Sequence, residues 1–222
     1  MCGRFYVAKP EDISEEYNIM RPPSDPIEPN YNISPGAYSP VVTHDKDGNK
    51  LEMFKWGLIP SWSKDPRIGF KMINARAETL MEKPTWRRPF LSQRAIIPAS
   101  GFYEWKRDGS RKQPFAIRSK EHDLLSFAGM YDVWKDENGE SVTTFTIITK
   151  PSEGAVSSIH DRMPALISEE DRYEWLDQDR KDPERLKGML LSSKDEELEA
   201  YEVSDRVNKS DNNDPGLVEG VE

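Results

Sequence analysis

Three dipeptides, Asp47-Gly48, Asp108-Gly109 and Asn138-Gly139, constrain the fold more than any other feature of this chain. Each lies beside or between apolar or alternating stretches: before LEMFKWGLI, between GFYEW and PFAIR, and between FAGMYDVW and VTTFTIIT. Such pairs readily supply the positive φ angles of tight hairpin turns, so each marks two antiparallel strands. Strands are therefore predicted to dominate residues 40 to 150. Shorter helices are predicted near residues 11 to 19, after Asn74, near 151 to 158, and from Ser168, where Ser-Glu-Glu-Asp resembles a capping box. The fold class is α+β, with curved, mainly antiparallel β-sheets forming a barrel-like core and helices at its periphery.

A chain of 222 residues with 36% hydrophobic content can build one sizeable core or two small ones. No repeat or low-complexity linker divides it, so a single domain is expected over residues 1–208, followed by a polar tail, 209–222, that frays in part. The proline-rich stretch RPPSDPIEPNYNISP, residues 21 to 35, reads as an extended, ordered loop. The first residues lack the charged start and apolar stretch of a secretory signal, and no run approaches 18 apolar residues, so a cytoplasmic protein without membrane association is expected. One cysteine allows neither an internal disulfide nor a site built on cysteine pairs, and His44, His122 and His160 lack ligand spacing, so no metal is expected.

The net charge of −9 argues at first against a polyanionic partner. Its distribution argues the other way. Residues 51 to 120 carry 15 Lys or Arg against 6 Asp or Glu, a local charge of +9 that leaves −18 to the rest. Clustering in sequence is not clustering in space, and a solvated mixed surface accounts for the same charges equally well.

The lone cysteine is residue 2, where removal of Met1 makes it the terminal amino acid. An α-amine of pKa about 7.7 to 8.0 and a thiol of about 8.5 then sit two carbons apart, both partly nucleophilic near neutral pH with little tuning. Against an ester or amide, the thiolate attacks and the amine serves as base. Against an aldehyde, the amine forms a Schiff base and sulfur closes a thiazolidine ring. The plain alternative is a small buried apolar cysteine.

Six segments complete the pattern: Met1-Cys2-Gly3-Arg4-Phe5, Tyr31-Asn32-Ile33-Ser34-Pro35-Gly36, Trp56-Gly57-Leu58-Ile59-Pro60-Ser61-Trp62, Ile73-Asn74-Ala75-Arg76-Ala77-Glu78-Thr79, Pro98-Ala99-Ser100-Gly101-Phe102-Tyr103-Glu104-Trp105 and Ile159-His160-Asp161-Arg162-Met163-Pro164. In this order, from residue 1 to about Asn208, they resemble the SOS response-associated peptidases, the SRAP family. The resemblance implies a protein that removes its own initiator methionine, binds single-stranded DNA and traps the aldehyde of a ring-opened abasic site as a thiazolidine on Cys2, shielding the lesion. It further implies an α+β fold, no cofactor, and a monomer acting in the cytoplasm, at the nucleoid if the source is prokaryotic.

By the same resemblance Cys2, Asn74, Glu104 and His160 are the catalytic set, and Arg4, Arg76 and Arg162 contact phosphates, a role suited to arginine's planar donors. Arg87 and Arg88 add positive charge, and Trp62 is placed to stack on or wedge between bases. The stretch Ser63–Phe70 is longer than in some relatives, which leaves open which side chain forms the wedge. The residues alone leave other readings open: Asn74 as a helix N-cap before Ala75, Glu104 as an exposed strand residue or as a carboxyl raised by flanking aromatics, His160 as a structural or surface histidine. Two other functions fit parts of the sequence. An N-terminal-nucleophile amidohydrolase uses an exposed cysteine after Met1, but the Asn-Gly pair that would serve its oxyanion hole reads here as a hairpin turn. A non-enzymatic single-stranded DNA module accounts for the basic middle third and for Trp56, Trp62, Trp86 and Trp105, but leaves Cys2, Glu104 and His160 without a role.

Overall fold

The structure is a computed structural model that describes residues 2–191 and 197–221. Its elements follow the chain as β1 (Phe5–Val7), α1 (Ile13–Glu16), β2 (Ile19–Arg21), β3 (Asn30–Ile33), β4 (Tyr38–Asp45), β5 (Gly48–Trp56), β6 (Asn74–Arg76), α2 (Pro84–Ser92), β7 (Arg94–Ala99), β8 (Gly101–Asp108), β9 (Arg111–Ser119), β10 (Leu125–Lys135), β11 (Ser141–Pro151), β12 (Arg162–Pro164), α3 (Arg172–Leu176), α4 (Pro183–Leu191) and β13 (Leu198–Glu202). All three glycine-bearing turns are hairpins, joining β4 to β5, β8 to β9 and β10 to β11, with Gly48, Gly109 and Gly139 at φ of +105°, +57° and +84°.

Strands β11, β10, β7, β4 and β5 lie edge to edge, and a short parallel contact, Thr144 opposite Lys55 and Phe145 opposite Trp56, closes them into a five-stranded barrel. Closure satisfies strand edges that would otherwise be open. Val42, Trp56, Ile96, Phe127, Phe145 and Ile147 are buried in the main core. A second antiparallel sheet, in the order β13-β9-β8-β1-β3, sits against the barrel. Residues alternate across it: Phe5, Phe102 and Ile117 enter the main core, whereas Tyr6, Tyr103 and Ala116 face the other way into a small second core with Val203, Val207 and Leu217.

Several local expectations differ from the structure. The segment after Asn74 is not a helix: Asn74 begins β6, which pairs in parallel with β11 (Asn74 opposite Ile147) before a 3-10 turn at Ala77–Thr79. The backbone groups of β11 give Asn74 a ladder to join, and this tertiary pairing overrides its preference for a helix cap. Residues 11 to 19 hold only a 3-10 turn and the four-residue α1, and 151 to 158 only a 3-10 turn at Gly154–Ser158. Ser168 Oγ accepts from the Asp171 N–H at 3.3 Å as a capping box would, but the turn it closes precedes α3. Helices α2 and α4 were not anticipated, although both begin on a proline, the residue best suited to a first helical position.

The tail expected to fray is built into the fold over its described part. Leu217 is fully buried, Val203 and Gly220 form a β-bridge, and Asn213 Oδ1 accepts from the Tyr31 N–H at 2.7 Å. The second core needs these residues, and their apolar members are too few for the sequence pattern to signal it. Among the described residues no helix is long and apolar enough to cross a membrane, and no group of three or more His, Cys, Asp or Glu side chains is arranged to hold a metal ion.

Candidate active site

The short β1 places the start of the chain. It pairs with β8 at Phe5–Phe102 and Tyr6–Gly101, and the Tyr103 N–H still reaches Arg4 O at 2.9 Å. Glu104 follows Tyr103 on β8 just beyond this pairing, close enough to Cys2 for its charge to act on the thiol. Glu104 lies on the same side of β8 as Phe102, toward the main core, and only 3% of it is exposed. That burial, with the charge of Asp161 adding to it, pushes its carboxyl up to about 7. The cause is the core face of the strand, not the flanking Tyr103 and Trp105, which point to the opposite side.

Cys2 is completely buried within the main core, its Sγ donating to Arg4 O at 3.7 Å. Burial, and then the nearby Glu104 charge, push the thiol far above its ordinary range. With Met1 still in the chain, burial thus disfavours the thiolate, and the expectation of a thiol that needs little tuning concerns the cleaved chain, in which Cys2 is the terminal residue. Asn74, set by the β6–β11 ladder, donates from Nδ2 to Cys2 O at 2.8 Å, while its Oδ1 is buried and accepts no hydrogen bond among the described residues. Met1 lies outside the described residues.

His160 follows the 3-10 turn after β11 and is half-buried. Its carbonyl accepts from Ser152 Oγ at 2.5 Å, which fixes the loop, and its Nδ1 accepts from the Arg162 N–H at 3.0 Å. An Asp161 carboxylate oxygen stands 2.8 Å from the same Nδ1, a contact that suits a proton on that nitrogen, in the neutral Nδ1–H tautomer or in the charged ring. Burial lowers the His160 pKa, with Arg107 contributing, against the opposing effect of Asp161. The Arg162 bond suits a neutral ring with its proton on Nε2, the Asp161 contact one with its proton on Nδ1. Glu104, His160 and Arg4 line one cleft of about 500 Å³ together with Trp105, Arg107, Lys112 and Asn208.

The arginines divide. Arg4 donates from Nη1 to Asn32 Oδ1 at 2.7 Å and to Val207 O at 3.1 Å, and stands at the cleft. Arg76 is exposed at the end of β6. Arg162, expected to contact phosphate, is instead 9% exposed with its fork engaged by both oxygens of Glu78 and by Thr149, holding β12 to the barrel. The Glu78 carboxyl is correspondingly held below its usual range. Arg87 and Arg88 are exposed on α2 and do not line the cleft. The basic stretch is also less available than its charge implies: Arg94 is fully buried with its fork on the carbonyls of Phe90, Trp175 and Asp177, and Arg118 and Lys120 pair with Glu199 and Glu197.

Trp62 is 67% exposed. It belongs to an excursion, residues 57–73, between β5 and β6, both of which run beside β11. Three hydrogen bonds pin the outgoing chain across the barrel: Ile59 N–H to Thr144 Oγ1 at 2.8 Å, Ser61 N–H to Asp132 Oδ2 at 2.8 Å, and Trp134 Nε1–H to Ser63 O at 2.7 Å. Phe70, on the returning 3-10 turn, is 66% exposed and was missed as a second surface aromatic. Also missed were Arg107, Lys112, Asn32 and Asn208. The Asp108-Gly109 turn was the available signal for the first two, since a two-residue hairpin there sets Arg107 opposite Lys112.

The family model described as SOS response associated peptidase (SRAP) matches residues 1–210. The abasic site processing protein YoqW of Bacillus subtilis is 44% identical over 222 residues, covering 99% of each chain, and HMCES of Xenopus tropicalis, also named an abasic site processing protein, is 34% identical over 229 residues, covering 89% of this chain and 68% of that protein. A crystal structure of a protein from Bacteroides thetaiotaomicron superposes with a TM-score of 0.89 at 28% identity, covering 99% of this chain and all of the other. With a family match over nearly its whole length and relatives of this similarity, the chain belongs to the SRAP family.

Proposed function

We propose that this protein captures abasic sites in single-stranded DNA by a covalent bond to Cys2 after Met1 is removed. The observation that carries this reading is the convergence of Cys2, Asn74, Glu104 and His160 from four separate segments: Asn74 bonds Cys2, the Glu104 charge acts on Cys2, and Glu104 and His160 line one cleft. The names of the relatives support abasic DNA as the substrate.

Three balanced steps follow. Water adds across the Met1–Cys2 amide, releasing methionine and freeing the Cys2 amine. Glu104, poised near neutrality, accepts the proton of the attacking water and returns it to the departing nitrogen. The amine then attacks the aldehyde carbon of the ring-opened sugar and one water leaves, giving an imine. Finally sulfur bonds to the same carbon while the thiol proton passes through Glu104 to the imine nitrogen, closing the thiazolidine. Asn74 holds Cys2 by its carbonyl, and its unused Oδ1 accepts from the new amine. When the closed sugar opens, the bond from C1′ to the ring oxygen breaks, the C1′ hydroxyl gives up a proton and the ring oxygen gains one, and His160 at the cleft carries that proton from the first to the second.

Intact mass spectrometry before and after incubation with single-stranded DNA bearing one abasic site tests the proposal. Loss of Met1 and addition of one DNA strand are expected, with no adduct for Cys2→Ala. A wild-type protein that gains no DNA mass, or an undiminished adduct on Cys2→Ala, overturns it.

A further inference from the structure

Trp105, Arg107 and Lys112 share one side of the β8–β9 hairpin, the side of Arg4 and Tyr103, opposite to that of Glu104. Arg107 and Lys112 are direct cross-strand partners, which brings their Cβ atoms to about 5 Å. Like charges in this position repel, whereas two other cations at this sheet each have a carboxylate: Arg118 has Glu199 and Lys120, just past the end of β9, has Glu197. Arg107 and Lys112 make no side-chain hydrogen bond or ion pair among the described residues, although both line the cleft that holds Glu104 and His160. Beside them the Trp105 ring is fixed by its Nε1–H donating to Asn208 Oδ1 at 2.8 Å, and Arg4 is fixed by Asn32 and Val207. Strand β8 thus separates the side of Glu104 from a cationic side carrying an oriented indole.

We propose that Arg107 and Lys112 together bind one backbone phosphate of the DNA strand flanking the lesion, with Trp105 offering its ring to the neighbouring base. The strand crosses the edge of β8, its sugar at Glu104 and His160 and its next phosphate on the far side. The bound phosphate relieves the repulsion between the two cations, which is why the pair is left without a carboxylate of its own. This inference rests on the single-stranded DNA reading above.

The test compares three proteins in a Cys2→Ala background: the parent, Arg107→Gln with Lys112→Gln, and Lys106→Gln with Arg111→Gln. The last pair lies on the same hairpin but on its other side, outside the cleft. Noncovalent binding to a single-stranded oligonucleotide with a tetrahydrofuran abasic analogue is followed by fluorescence anisotropy across a salt series. Loss of one phosphate contact is expected to weaken binding several-fold at low salt and to reduce the slope of log K against log salt by roughly 0.7. The Lys106/Arg111 variant is expected to keep the parental slope, and neither variant to melt below the parent. An unchanged slope in the Arg107/Lys112 variant, or an equal loss in both variants, overturns this inference while leaving DNA capture intact. A parent that shows no salt-dependent binding overturns both.

Discussion

At the scale of single residues, the buried carboxyl of Glu104 makes stability depend on pH in the direction opposite to a salt-bridged carboxylate. Its folded pKa of about 7 lies above the unfolded value of 4.5, so between these values the folded state binds the extra proton. Stability is therefore highest below the unfolded value and falls as pH rises toward 7, by roughly 3 kcal/mol at most. Glu104→Gln removes this penalty. The variant should melt several degrees above wild type at pH 8 and close to it at pH 5, measured by thermal denaturation; parallel curves at both pH values would refute the assignment. The same burial that makes Glu104 costly to ionise leaves it able to exchange protons near neutrality, as the proposed chemistry requires.

At the scale of elements, the excursion between β5 and β6 depends on two backbones meeting without side chains. Gly57 has φ of +116°, and a Cβ on it would stand 2.7 Å from Gly69 O; a Cβ on Gly69 would stand 2.7 Å from Gly57 O. Either glycine replaced by alanine forces the two arms of the excursion apart. Gly57→Ala, which also meets the unfavourable φ, is expected to cost on the order of 2 kcal/mol in urea unfolding. Because Trp62 and Phe70 ride on these arms, DNA affinity should fall with it. The Trp-Gly motif was legible in sequence as a motif, but its glycine's purpose was not: the residue that crowds it lies 12 positions later, and only the folded chain brings them together.

At the scale of the whole molecule, the chain end and the chain start form one structure. Asn32, 4% exposed, accepts from Arg4 and donates from Nδ2 to Lys209 O at 3.0 Å and Asn212 O at 2.8 Å, so the returning C-terminal stretch and the cleft share one buried amide. Leu217 seals the small core behind it. Leu217→Ala is expected to cost about 2–5 kcal/mol in denaturant unfolding and to weaken DNA binding through a loosened Arg4. Wild-type stability in this variant would show that the second core contributes little.

The sequence by itself determined the three hairpins, the α+β class with its mainly antiparallel barrel, and the family, through six motifs in order. These are local or ordered signals: a glycine turn is encoded by adjacent residues, and motifs keep their order whatever the fold. Tertiary structure alone decided that Asn74 sits in a strand, that Arg162 is committed to Glu78, that the tail is packed, that the Cys2 thiol is buried and hard to ionise, and that Arg107 and Lys112 face the cleft. Each of these follows from which distant segment supplies a backbone ladder, a countercharge or an apolar wall, and burial acts on a pKa only once that neighbour is in place.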